Sequence, residues 1–106
     1  MTFFAEIVDY DIVNTEFLDT YLKVRDALRT VEGLEDQVSR AVRDCMNRTD
    51  WLTEKDGTVK VLRTMYGAFA GYLRSHGKKC MWTVGKSVRS PGGTSVTVPC
   101  SFEIVE

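Results

Sequence analysis

A chain of 106 residues, 43% apolar and 27% charged, has the make-up of an ordinary globular domain and is long enough for one core. Two prolines and eight glycines exclude a collagen-like or low-complexity chain, and no apolar run approaches a bilayer span. The net charge of −1 conceals a polarity: residues 1–56 hold thirteen acids and seven bases, residues 57–106 seven bases and two acids, and no acid lies between Asp56 and Glu103.

The opening, TFFAEIVDYDIV, is rich in aromatic and β-branched residues and predicts a strand over about residues 3–10. Asn14 and Thr15 are cap residues for a following helix, with Glu16 and Asp19 in its first turn. Phe17, Leu18, Tyr21, Leu22, Leu28 and Val31 recur at helical spacing, and Gly33 is the expected left-handed stop. A second helix is expected over about Leu34 to Arg48, with Leu34, Val38, Ala41, Val42, Cys45 and Met46 as its apolar stripe. Residues Asn47 to Gly57 read as a loop.

A third helix is expected over Thr58 to His76, ended by Gly77, with Val59, Leu62, Met65, Tyr66, Phe69, Ala70 and Leu73 buried. Its other face carries Lys60, Thr64, Gly67, Gly71, Arg74 and Ser75, with Arg63 at the edge. Glycine in a helix costs about 1 kcal/mol relative to alanine, so two of them four apart point to a smooth patch that a backbone or ligand approaches.

The last third predicts a hairpin turned by Ser-Pro-Gly-Gly at 90–93. Keeping the apolar residues on one side pairs Val88 with Val96, Val84 with Cys100, Trp82 with Phe102 and Cys80 with Ile104. Pro99 has no amide proton and belongs at an edge or bulge. The expected whole is a single α+β domain, residues 1–106, with three helices packed on a small antiparallel sheet in the order β-α-α-α-β-β.

Cys45, Cys80 and Cys100 are odd in number and lack close pairs, which fits buried thiols in a reducing compartment better than a disulfide framework. In the pairing above, Cys80 and Cys100 stand four residues out of step, too far apart for a disulfide. The N-terminus shows no basic segment followed by an apolar stretch. The expected location is the cytoplasm, of the cell or of a host.

Candidate chemistry is sparse. His76 with Cys45, Cys80 and Cys100 would make four zinc ligands, but without the close pair that structural sites use. Asp9 and Asp11, with Glu6 and Glu16 nearby, are paired carboxylates whose default role is a solvated strand end. There is no phosphate-binding glycine loop and no nucleophile motif. No catalytic residue, metal ligand or cofactor is therefore assigned, and a metal-assisted enzyme is the third-ranked reading.

The basic half offers more. Lys60, Arg63, Arg74, Lys78, Lys79, Lys86 and Arg89 form one candidate field, and Gly67 and Gly71, flanked by Tyr72, a flat patch with the Tyr/Arg composition of binding hot spots. The preferred reading is a non-catalytic protein-binding module with a charge-polarised surface. Its size suits an inhibitor or adaptor, by analogy with the small anti-host proteins of phages. The alternative is nucleic-acid binding: helix 58–76 followed by the 80–104 hairpin resembles the winged-helix architecture in outline. Against it stand the long stretch between helices two and three and the absence of Asn or Gln on helix three to read bases.

Overall fold

The computed structural model describes residues 11–48, 56–89 and 96–105. They form helices α1 (Asp11–Leu28), α2 (Leu34–Arg48) and α3 (Gly57–Ser75), then strands β1 (Lys79–Val84), β2 (Val88–Arg89), β3 (Val96–Thr97) and β4 (Cys100–Val105). This is the expected α+β class, with the strands following the helices. The strand expected at residues 3–10, and residues 49–55 of the expected loop, lie outside the described residues.

Helix α1 departs from its expected limits at both ends. Asn14 and Thr15 lie inside the helix and so do not cap it. The chain leaves the helix at Arg29, whose φ of 58° is left-handed, with its amide bonded to the Arg25 carbonyl at 2.7 Å. Gly33 is not the stop; at φ 77° it serves the entry to α2, its carbonyl accepting the Gln37 amide at 3.0 Å. Val31 therefore sits in the connection. Within α1 the residues that go inside are Phe17, Thr20 and Val24, at the i, i+3, i+7 spacing of one face, whereas Leu18 is turned to solvent. Helix α2 has the expected limits and buries Leu34, Val38 and Val42.

Helix α3 is the central element. Both α1 and α2 pack on it, as does β1. All seven expected core residues are buried, and Thr58, Val61 and Tyr72 are buried as well. Gly77, at φ 77°, follows the helix as expected, and the Lys78 amide returns to the Leu73 carbonyl at 2.9 Å. An aromatic chain ties the layers together. Phe17 of α1 meets Phe69 of α3 at 5.6 Å between ring centres, and Phe69 meets Phe102 of β4 at 6.1 Å. Tyr66 of α3 meets Phe102 at 5.3 Å and Trp82 of β1 at 5.9 Å.

The main ladder has the expected register: Cys80 pairs with Ile104, Trp82 with Phe102 and Val84 with Cys100. Beyond it the register slips by one. Val88 pairs with Thr97 and Arg89 with Val96, so the expected Val88–Val96 pair does not form. Three residues, 85–87, leave β1 while only Val98 and Pro99 separate β3 from β4. The Gly85 amide bonds the Pro99 carbonyl at 2.7 Å across this bulge. Because side chains alternate along a strand, one extra residue reverses the face. Val88 turns out to solvent, 59% exposed, and Val98 turns in.

Candidate functional site

Residues 60, 63, 67, 71 and 74 of α3 recur at three- and four-residue steps and so lie along one side of the helix. This stripe is the part of α3 that the rest of the fold leaves uncovered: Lys60, Arg63, Gly67 and Arg74 are exposed and Gly71 is half-buried. Arg63 and Arg74, eleven residues apart, are separated by about 16 Å along the axis.

The stripe has a different neighbour on each side. Towards α2, the Gln37 side chain lies 3.5 Å from the place a Cβ of Gly71 would occupy and donates to the Ala68 carbonyl at 3.5 Å. Gly71 is thus explained in part by the approach of α2. Gly67 is not: a Cβ there would meet nothing within 4 Å. Towards the hairpin, two clefts open. One, of about 470 Å³, is lined by Asp56, Val59, Lys60 and Arg63 of the start of α3 and by Gly85, Lys86 and Ser87 of the bulge. The other, of about 360 Å³, lies at the opposite end of α3, among Ala70, Arg74, Lys78, Lys79, Cys80 and Trp82.

The fold therefore brings six of the seven expected cations to one side of α3, in two groups of three. Arg89 stands in β2, but its side chain lies outside the described residues. Tyr72 must be moved from the surface to the core. It is 3% exposed, and its hydroxyl donates to the Glu32 carbonyl at 2.8 Å, pinning the α1–α2 connection. Burial in an otherwise apolar setting, with Glu32 near it, raises its pKa. It contributes no contact area to the stripe.

The ion pairs among the described residues, Arg25–Asp26 at 3.5 Å and Arg48–Asp44 at 3.1 Å, belong to α1 and α2. Among the described residues that line the first cleft the carboxylate is Asp56, four residues before Lys60. The first turn of α3 contains no acidic residue, and Asp56 makes no side-chain cap bond to it.

The candidate zinc ligands are not gathered; no cluster of three or more His, Cys, Asp or Glu among the described residues is placed to hold a metal ion. His76 follows the last turn of α3, its Nδ1 2.9 Å from the Tyr72 carbonyl. All three cysteines are unpaired. Burial pushes the Cys80 thiol up, against the pull of Arg74, and pushes the Cys100 thiol up although the Tyr66 hydroxyl beside it acts the other way. Tyr66 donates to the Glu16 carboxylate at 2.7 Å, and burial, with Cys100 and Glu16 next to it, raises its pKa strongly.

Residues missing from the expected site are Asp56, Ser87 and Trp82. The two cues in the sequence that bear on the first cleft are Gly85 and Pro99, which make the bulge that carries Lys86 and Ser87 to α3. Comparison of the chain with protein-family models, with curated proteins and with solved structures gave no match. No helix among the described residues is long and apolar enough to cross a membrane.

Proposed function

We propose that this protein is a non-catalytic binding module that uses the uncovered side of α3 to engage an acidic surface of a protein partner. The observation that carries this reading is the convergence of six cations on the two clefts beside a bare helix face. Opposed charge of this kind steers encounter and fixes orientation, while the glycine lets a partner backbone come close. The high pKa of the Cys80 and Cys100 thiols supports a binding role over nucleophilic catalysis, which needs thiolate. Unpaired thiols also suit a reducing interior, and we place the protein's work in the cytoplasm, as an inhibitor or adaptor.

Nucleic-acid binding through α3 is the less favoured reading. Direct reading of bases favours Asn and Gln besides Arg and Lys, and α3 has neither Asn nor Gln. The bare stripe is narrow and its ends are walled by β1 and the bulge.

The test is affinity capture from native-host extract, with and without nuclease, by the wild-type chain and by the variant Arg63→Glu/Arg74→Glu/Lys79→Glu. The reading predicts a protein retained after nuclease by the wild type and lost by the variant. Capture that nuclease abolishes, capture that the variant leaves intact, or no capture at all contradicts it.

A further inference from the structure

We infer that the outer edge of β1 takes up an extended, acidic segment of the partner protein as a further strand of the sheet, laid over the bare side of α3. This rests on the reading of α3 as the partner-binding face and names the form of what that face receives.

In an antiparallel pair, opposed residues alternate between those that bond each other and those whose N–H and C=O point away from the partner strand. Two contacts fix which are which here. The Gly85 amide bonds the Pro99 carbonyl at 2.7 Å, one step beyond the Val84–Cys100 pair. The Phe102 carbonyl accepts from the Lys23 side chain at 2.8 Å, so it faces away from β1. Lys79, Met81 and Thr83 therefore bond β4, and the N–H and C=O groups of Cys80, Trp82 and Val84 point to the far side of β1. The two edges of the sheet then differ. Helix α1 lies against β4, and Lys23 occupies that edge. Among the described residues β1 pairs with β4 alone, and Cys80, Trp82 and Val84 make no backbone bond outside that ladder. A row of alternating donors and acceptors at strand spacing is matched by another extended chain.

The space for it is present. An added strand runs about 4.8 Å outside β1, and the ground beneath it is the bare stripe of α3. The two clefts lie at the ends of this path, one between α3 and residues 85–87, the other between Ala70 and Arg74 of α3 and Cys80 and Trp82 of β1. Gly67 stands between them on α3, with nothing within 4 Å of a Cβ, and so leaves clearance for a second backbone. The six residues of β1 span roughly 20 Å and the stripe from Arg63 to Arg74 about 16 Å, so a strand of about five or six residues covers both.

The side chains select the occupant. Arg74, Lys78 and Lys79 gather at the start of β1, and every charged side chain among the described residues lining that cleft is a cation. They complement an acidic strand. A second copy of this chain, which would bring the same lysines to the shared edge, is opposed by them, as lysines on edge strands commonly prevent self-pairing. Side chains alternate along the incoming strand. Those turned inward meet Ala70 and Trp82 and are apolar, while those turned outward lie beside Lys79 and the exposed Met81.

The experiment is a nitrogen-15 NMR titration of the full chain with an eight-residue peptide of alternating valine and glutamate, and with its valine–lysine counterpart. Saturable shifts at the amides of Cys80, Trp82 and Val84 are expected with the glutamate peptide alone. Ligation at Cys80 then builds full chains that carry one N-methylated amide. At Trp82 the methyl group blocks the edge without touching the ladder, so the melting temperature holds while affinity, read by tryptophan fluorescence, falls at least about tenfold. At Met81 the same change breaks a bond to β4 and lowers the melting temperature. Arg74→Gln and Lys79→Gln each weaken the glutamate peptide about two- to fivefold. Shifts that fail to saturate, that lie elsewhere, or that both peptides produce equally overturn the inference, as does undiminished affinity after N-methylation of Trp82. Concentration-dependent shifts of the same amides without peptide assign the edge to a second copy and overturn the acidic partner. If the edge amides stay silent while partner capture still depends on Arg63, Arg74 and Lys79, the binding face stands and strand addition alone falls.

Discussion

Two glycine-to-alanine substitutions should move stability in opposite directions. Gly85 has no left-handed φ, so alanine there meets no backbone strain; the cost is contact. A Cβ at Gly85 would lie 2.9 Å from Pro99 Cγ and 3.2 Å from the Pro99 carbonyl oxygen. The ring carbon cannot swing aside as a flexible side chain would, and the oxygen is held by the Gly85 amide itself. Relief requires the ends of β1 and β4 to splay, a distortion comparable to overpacking a core, about 1–3 kcal/mol. Gly67 is the reverse case. It lies inside α3 with nothing within 4 Å of a Cβ, so Gly67→Ala gains the helix-propensity difference, about 0.8–1 kcal/mol. The two variants should therefore differ by about 2–4 kcal/mol. With a urea slope of about 1–2 kcal/mol per molar for a domain of this size, their midpoints should stand about 2 M apart. Urea titration followed by tryptophan fluorescence and by far-ultraviolet circular dichroism measures this. A Gly85→Ala variant as stable as the wild type would refute the close approach at the bulge, and a Gly67→Ala variant less stable than the wild type would refute the openness of the stripe.

Other substitutions probe the core and the ionisable groups within it. Phe102→Ala should cost about 3–5 kcal/mol in chemical denaturation, because Phe102 is 2% exposed and touches the rings of Tyr66 and Phe69; a loss below about 1 kcal/mol contradicts its place at the centre of the layers. Tyr66→Phe should cost about 1 kcal/mol by removing the hydroxyl that donates to Glu16, and Phe at Tyr66 with unchanged stability would argue against that bond. Alkaline pH should destabilise the fold. Burial raises Cys80 and Cys100 above the ordinary 9.0 and Tyr66 and Tyr72 above 10.0, so the unfolded chain gives up these protons first. The stability they contribute is complete below about pH 9 and falls as pH rises further; a melting temperature that stays flat from pH 8 to pH 11 contradicts this.

How much of this was legible in the sequence depends on how far apart the interacting residues lie. Helix α2 and the β1–β4 register were readable because both rest on local periodicity, 3.6 for Leu34, Val38 and Val42 and 2 for Cys80, Trp82 and Val84. The ends of α1 were not. Arg29 in the left-handed region is a conformation that a sequence assigns by default to glycine, and Gly33 four residues on drew the assignment. Val24 was overlooked between Lys23 and Arg25, although it completes the face begun by Phe17. Around the hairpin tip, Pro99 announced a bulge but not on which strand the extra residue would fall, and that choice decides whether Val88 points in or out. Within the candidate site, the acid-free tract identified the cations, and their grouping into two clefts needed the fold. Tyr72 was misplaced because a residue next to an exposed glycine on a helical wheel looks exposed unless the neighbouring helix is known. The Glu32 carbonyl that it bonds is forty residues away.

Gly67→Trp puts the central claim to the most direct trial, since it leaves every charge in place and adds bulk only at the middle of the bare face. A tryptophan is a better helix former than glycine and meets no described atom within 4 Å at its Cβ, so the melting temperature should hold or rise. Capture of the protein partner should nevertheless be lost. A folded Gly67→Trp variant that still retains the partner at the wild-type level would mean that recognition happens somewhere other than along α3.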